Sequence, residues 1–372
     1  MNYGSTYVFA MLVSSTFGLA SLMASAHRFS QPGFKVHVLL VLVGTLLAIP
    51  IHEAGHWLAG AAQGFKTLRF LLGPIEVMPV DGGWRIRLVK FRHAGVVYQV
   101  PSSFTNFRLQ KATCLAAGPG VSLIACLLFT RLALRASTAL PFWFWMVNAQ
   151  MCLVGLLQLF PVRFGEAESD GLQLWKLLQG GPAADLMQRD LLADSVNYTP
   201  LRPRDWPVDL IRRLAGAKSA RYNRYMAYVH ALDCENIPAA WSHLEPLLES
   251  SSPADGPQYA LEGAYFLAYH RGDLKQARQC LAREHRLPED ALRLRAEAAV
   301  EWAAGRAKKA SELIEQAELT LRAGHPSGNR DFEMDCLSAM RDDIAARSAL
   351  RPKVVEIRSW PAAAQSAEPL LN

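Results

Sequence analysis

The segment Val36–Gly64, VHVLLVLVGTLLAIPIHEAGHWLAGAAQG, decides how the chain is read. It is longer than the roughly 20 apolar residues that a membrane helix needs. Its only ionisable residues are His37, His52, Glu53 and His56. On a helix His52 and His56 share a face, so both imidazoles can bind one metal ion. Glu53, next to the first histidine, can accept a proton from a metal-bound water. Zn2+, one per chain, suits two imidazoles, a carboxylate and an open water position. Ionisable groups on a membrane helix are costly and are by default functional, and metal coordination supplies the compensating interactions.

Three further apolar segments lie around this one: Ser5–Ala26, Ala112–Thr130 and Ala136–Val162. Ala24-Ser25-Ala26 resembles a signal-peptidase site, but no Lys or Arg precedes the apolar stretch, so the first segment reads as a retained span. Four spans put both termini on one side. The connection from Phe65 to Lys111, which lies on that side, carries Lys66, Arg69, Arg85, Arg87, Lys90, Arg92, Arg108 and Lys111. The opposite side has Arg28, Lys35, Arg131 and Arg135. The positive-inside bias places both termini and the long connection in the cytoplasm. Within that connection Val77–Val80 and Trp84–Val89 flank Asp81-Gly82-Gly83, a hairpin signal, and Gly95–Pro101 can add a strand. A small sheet at the membrane surface is expected.

A catalytic zinc site needs a third protein ligand. The last span ends on the cytoplasmic side, as does the end of the second span that carries His52. Soon after it come Glu166, Glu168 and Asp170. Spacing leaves the three open, and Asp170 could equally cap an expected helix over Leu172–Leu178. His93 falls among the expected strands and reads as a surface histidine. Gly118-Pro119-Gly120 in the third segment is either a packing kink or a backbone opening beside the metal that accepts an extended substrate; the second is favoured.

The formal charge is +6, but the basic residues form no run with interleaved aromatics, so no nucleic-acid partner is expected. Cys114, Cys126, Cys152, Cys234, Cys280 and Cys336 form no CxxC pair and no disulfide framework.

Beyond about Gly180 the composition changes to that of a soluble protein. Residues 180–207 read as a linker, 208–349 as a helical domain and 350–372 as a flexible tail. Glu235–Ala240, Gly272–Ala277 and Gly305–Ala310 are weakly self-similar at a spacing near that of tetratricopeptide hairpins. The expected units are Tyr222–Glu249, Gln258–His285 and Glu289–Arg322, with Tyr265, Phe266 and Tyr269 as core or groove aromatics. A last helix is expected over Asp331–Ala349. Stacked helical pairs offer concave peptide-binding surfaces, so a cytosolic protein partner is expected there.

The stretch from Val36 to Leu178 resembles the site-2 protease family of intramembrane zinc metallopeptidases, the M50 group. The parts come in that family's order: His52-Glu53-Ala54-Gly55-His56, a short sheet-forming connection, Ala117-Gly118-Pro119, then Gln158-Leu159-Phe160-Pro161 followed by Asp170-Gly171. The resemblance implies Asp170 as the third ligand, beside His52 and His56, and Glu53 as general base. It implies hydrolysis of membrane-bound substrates in regulated intramembrane proteolysis, by a multi-pass protein of a bacterial inner membrane. Gly118, Pro119, Asn148 and Gln158 would contact substrate. Gln158 stands where the family has Asn, Ser122 stands where Asn often follows Ala-Gly-Pro, and the loop from Pro161 to Asp170 is longer than the compact form. The fold class expected is mainly α: about four transmembrane helices with a small sheet (residues 1–179), then a soluble tetratricopeptide-like domain. The competing reading is an inactive membrane-anchored adaptor; the intact His-Glu motif and Asp170 favour the enzyme.

Overall fold

A computed structural model describes residues 29–80, 83–90, 95–164, 167–216, 221–249, 257–283 and 290–350. The apolar segment Ser5–Ala26, His93, Glu166 and the tail from Arg351 lie outside them. Among the described residues the chain is mainly helical, with a four-stranded antiparallel sheet and a two-stranded one. It divides into two compact units, Met1–Asp255 with Leu321–Glu333, and Gly256–Thr320 with Met334–Asn372.

Among the described residues three helices are long and apolar enough to cross a membrane: α1 (Phe34–Ala62), α2 (Phe107–Arg135) and α3 (Ala139–Leu156), the last prolonged by a 3-10 turn to Leu159. At 1.5 Å per residue the first two are about 44 Å long, more than a hydrocarbon core of about 30 Å. Leu39, Leu42 and Leu46 of α1 and Leu123, Ile124, Leu127 and Leu134 of α2 are exposed, as helix faces turned to lipid would be. Inward, the three helices pack on one another, through bulky residues such as Leu40, Trp143 and Met146 at one level and through glycines beside the histidines. A methyl group on Gly55 would stand 2.5 Å from the Ala117 carbonyl oxygen and 2.8 Å from the Gly118 Cα, so α1 and α2 touch backbone to backbone there. α2 runs unbroken through Pro119, so the expected opening of its backbone is absent and Gly118-Pro119 serves close packing instead.

α1 ends at Gln63, and Gly64, at φ +77°, turns the chain into the sheet. The strands β1 (Lys66–Leu72), β2 (Ile75–Val80), β3 (Gly83–Leu88) and β4 (Gly95–Val100) lie in the order β3-β2-β1-β4. The expected hairpin is present, with Val80 opposite Gly83; its turn residues Asp81 and Gly82 lie outside the described residues. Glu76, 1% exposed, is held between Arg69 and Arg87. β4 is an edge strand and packs against α1, where Gln99 Nε2 donates to the Trp57 carbonyl at 3.2 Å.

After the 3-10 turn, the short strands β5 (Arg163–Phe164) and β6 (Ala167–Glu168) form a two-residue ladder. α4 (Asp170–Gln179) follows. The stretch read as a linker then folds: α5 (Pro182–Tyr198) starts with Pro at its first turn and buries Leu192 and Val196. α6 (Val208–Gly216) adds Leu210 and Leu214 to the same core, which also holds Phe107 and Leu115 of α2.

Helix pairs occupy the three expected positions: α7 (Arg221–Asp233) packs on α8 (Ile237–Glu249), α9 (Pro257–Tyr269) packs on α10 (Leu274–Ala282), and α11 (Ala291–Ala303) is followed after a short turn by α12 (Ala307–Ala323). Their turns hold Glu235, Gly272 and Gly305 at φ of +58°, +68° and +79°. Five positions after each stands a fully buried alanine, Ala240, Ala277 or Ala310, where a larger side chain would push the hairpin apart. Tyr265 and Phe266 are core residues. Tyr269 is half-buried and donates to Asp343 Oδ2 at 2.8 Å on the last helix, α13 (Gly328–Leu350). In the second unit Arg295 and Glu262 are buried together as an ion pair at 2.6 Å.

Candidate metal centre

His52 and His56 project from one face of α1, as the four-residue spacing requires. Asp170 reaches them from the first turn of α4. Three ligand atoms meet: His52 Nε2 to Asp170 Oδ2 is 3.1 Å, His56 Nε2 to Asp170 Oδ2 is 3.3 Å, and the two Nε2 atoms are 3.2 Å apart. These sides make a nearly equilateral triangle. Ligands placed tetrahedrally at about 2.0–2.1 Å from a zinc ion stand about 3.3–3.4 Å from each other, so the triangle fits one face of such a shell.

The outer hydrogen bonds select the same atoms. The Cys114 carbonyl lies 2.7 Å from His56 Nδ1, and a carbonyl only accepts, so Nδ1 carries the proton. Neutral His56 therefore presents a lone pair at Nε2. His52 Nδ1 is hydrogen-bonded to Ser122 Oγ at 3.0 Å, and Ser122 is fully buried. With the His52 proton on Nδ1, donated to Ser122, two ring lone pairs and a carboxylate converge on one point and repel one another unless a cation lies between them. The group could hold a metal ion.

Three glycines make the convergence possible. A Cβ on Gly118 would collide with the His56 ring. One on Gly155 would stand 2.6 Å from Ser122 Oγ and 3.2 Å from His52 Nδ1. One on Gly171 would collide with the Leu159 carbonyl, which fixes how closely α4 approaches the end of α3. Helix capping is done by Ser169, not Asp170: its Oγ accepts from Leu172 N at 3.2 Å and from Val162 N at 3.0 Å, and donates to the Phe160 carbonyl at 2.6 Å. With the cap supplied by its neighbour, the Asp170 carboxylate is left for the histidines. Glu168, the rival by spacing, pairs with Arg163 and Lys176 instead.

Glu53 is buried beside this triangle. The backbone N–H of Val97 donates to its carboxylate, and a Cβ on Gly95 would stand 2.8 Å from its Oε1. The outer edge of β4 thus runs past Glu53. Asn148 is 1% exposed; its Nδ2 donates to the Phe144 carbonyl at 2.8 Å, while its buried Oδ1 has no hydrogen-bond partner among the described residues. It lies two turns along α3 from Gly155, about 10 Å away at 1.5 Å per residue. Gln158 sits half-buried in the 3-10 turn. Sequence reasoning missed the support: Ser122, Gly155, Ser169 and the Cys114 carbonyl. Small residues inside apolar helices were the available signal for Gly155.

Comparison with models of protein families, with curated proteins and with solved structures gave no match.

Proposed function

We propose that the chain is an intramembrane zinc metalloendopeptidase of the site-2 protease type. The observation that carries this reading is the nearly equilateral triangle that Asp170 makes with His52 and His56, with Glu53 beside it, the last three on a helix of membrane length. A bound Zn2+ would supply Lewis acidity, lowering the pKa of a water and polarising a carbonyl. Glu53 takes the proton of the attacking water and returns it to the leaving amine. The Cys114 carbonyl holds His56 in the ligating tautomer, and Ser122 orients the His52 ring. A scissile peptide must be extended to be cut, and the edge of β4 beside Glu53, which pairs with no further strand among the described residues, favours an extended segment laid along it. The buried Oδ1 of Asn148 is an acceptor for a substrate N–H deeper in the bundle, and Gln158 lies in the 3-10 turn that follows α3.

Ser5–Ala26 as a fourth span puts both termini on the basic, cytoplasmic side of a cell membrane. The three helical hairpins favour a cytosolic protein partner, and they are also what an inactive adaptor would need. One experiment separates enzyme from adaptor. The full chain and Glu53→Gln, purified from membranes, are assayed for zinc, and the membrane peptides that accumulate with each are compared. Equal zinc in both, with peptides accumulating only in Glu53→Gln, is expected. Identical peptide profiles, or no zinc in either protein, would sink the hydrolase reading.

A further inference from the structure

α4 begins at the metal centre and ends at the start of α2. Asp170, its first residue, is 3.1 Å from His52. Gly180, just past its last residue, faces Arg108, whose Nη1 lies 3.1 Å from where a Cβ would be. Along α2 the same two levels are marked by Gly118, against His56, and Arg108 itself. Ten residues of α2 separate them, about 15 Å, and α4 is ten residues long, also about 15 Å. α4 therefore climbs antiparallel to α2 from the depth of the metal centre to the end of the membrane-length helix. Its inner face is settled: Leu174 and Leu177 pack with Phe107, Ala112 and Leu115. Its outer face carries Trp175, 54% exposed, and Leu178, 68% exposed, three positions apart on one side. Lys176 is drawn the other way, to Glu168.

Scattered exposed apolar residues are ordinary on a soluble surface. These two are not on one if α2 crosses a bilayer, because the helix that bears them stays beside α2 over the same depth. We propose that the Trp175–Leu178 face of α4 is seated in the lipid, at the boundary of headgroups and acyl chains where α2 begins, and that this seating holds Asp170 against the two histidines. Tryptophan suits that boundary, with an apolar body and an N–H for the wet side. The lipid contact rests on the membrane reading alone; the hold on Asp170 also rests on the metal centre proposed above.

The test uses the full chain in vesicles of phosphatidylcholine and phosphatidylglycerol. Trp175→Cys and Leu178→Cys are each made with Cys234→Ser, which removes the exposed native thiol, and are spin-labelled. Leu127→Cys, on the exposed side of α2, is the lipid reference, and Lys308→Cys, on a side chain 94% exposed, is the aqueous one. Labels at 175 and 178 are expected to collide severalfold more with oxygen than with a water-soluble nickel chelate, as at 127 and in reverse of 308. Dominance of the chelate at both positions overturns the lipid contact. In a second arm Co2+ is titrated by absorption. The double variant Trp175→Ser/Leu178→Ser is expected to bind it about tenfold more weakly than wild type, the lower end of what outer support of a ligand is worth, with Leu127→Ser unchanged. Equal affinity in wild type and double variant overturns the hold on Asp170. A wild-type chain that takes up no Co2+ overturns that hold together with the metal chemistry, while the collision ratios still decide the lipid contact.

Discussion

Ser122 Oγ and His52 Nδ1 stand 3.0 Å apart in a buried contact, so one hydroxyl sets the orientation of a ring of the candidate metal centre from the side away from Asp170. Ser122→Ala leaves a buried ring nitrogen without its partner. Zinc affinity, measured by competition with a chromogenic chelator, is expected to fall about 10- to 100-fold, with the helical circular dichroism unchanged. Unchanged affinity would mean that the ring is held by packing alone.

Gly118 admits no side chain. In Gly118→Ala the added methyl meets the His56 ring, so either the ring shifts or α2 is pushed off the close contact that Gly55 makes with Ala117. Overpacking of this kind costs about 1–3 kcal/mol, and here it also displaces a ligand. Gly120→Ala, which meets nothing within 4 Å, is the control. The expected result is a lower thermal midpoint and lost zinc in the first variant and neither in the second.

Arg295 and Glu262 are almost inaccessible in the second unit, and Arg295 also lies over the Tyr265 ring, 4.3 Å from its centroid. Arg295→Met takes away the cation that the buried Glu262 carboxylate is paired with and is expected to cost about 3–5 kcal/mol in denaturant unfolding. Arg295→Met with Glu262→Met removes both charges and is expected to recover most of that loss. A double variant as unstable as the single one would show that packing, not charge, is at stake.

His270 packs among Tyr265, Phe266 and Tyr269. Burial, helped by the nearby Arg295 cation and opposed by Asp343, lowers its pKa to about 4. A free histidine titrates near 6.5, so between these values the unfolded chain binds the extra proton and the folded one does not. Its contribution is therefore complete above about pH 6.5 and is lost as the pH falls towards 4. After discounting for partial exposure it is about 1–2 kcal/mol. His270→Phe should flatten the unfolding midpoint across that window; an unaltered slope refutes the assignment.

Much of this was legible in the sequence where the signal is local. His52 and His56 share a helix, so their spacing alone places them together. The repeat of turn residue and alanine at Glu235/Ala240, Gly272/Ala277 and Gly305/Ala310 marks three hairpins because each hairpin needs the same sharp turn and the same thin contact. Asp170 is far along the chain from His52, and spacing could not separate it from Glu168; the arginine and lysine that occupy Glu168 are a tertiary fact. Nor could spacing show that Ser169 would take the capping role. β1 was missed because Lys66 and Arg69 interrupt its apolar pattern. α5 was read as linker because Gly180-Gly181-Pro182 and Pro200 to Pro203 signal breaks on both sides, which obscured the helical spacing of Leu192 and Val196 between them.

Residues 321–333 belong to the first unit, although the chain on either side of them belongs to the second. Within the first unit the Gly328 N–H donates to the Thr199 carbonyl at 2.7 Å, and Lys66 Nζ, at the head of β1, lies 2.7 Å from both the Tyr198 carbonyl oxygen and His325 Nε2. A stop codon near position 255 is therefore not a clean amputation. It would take away the second unit and, with it, thirteen residues of the first, among them a neighbour of the sheet that runs past Glu53. Loss of activity in such a truncation would not by itself argue for regulation by the helical hairpins. Point substitutions on their surface are the sound way to ask what they contribute.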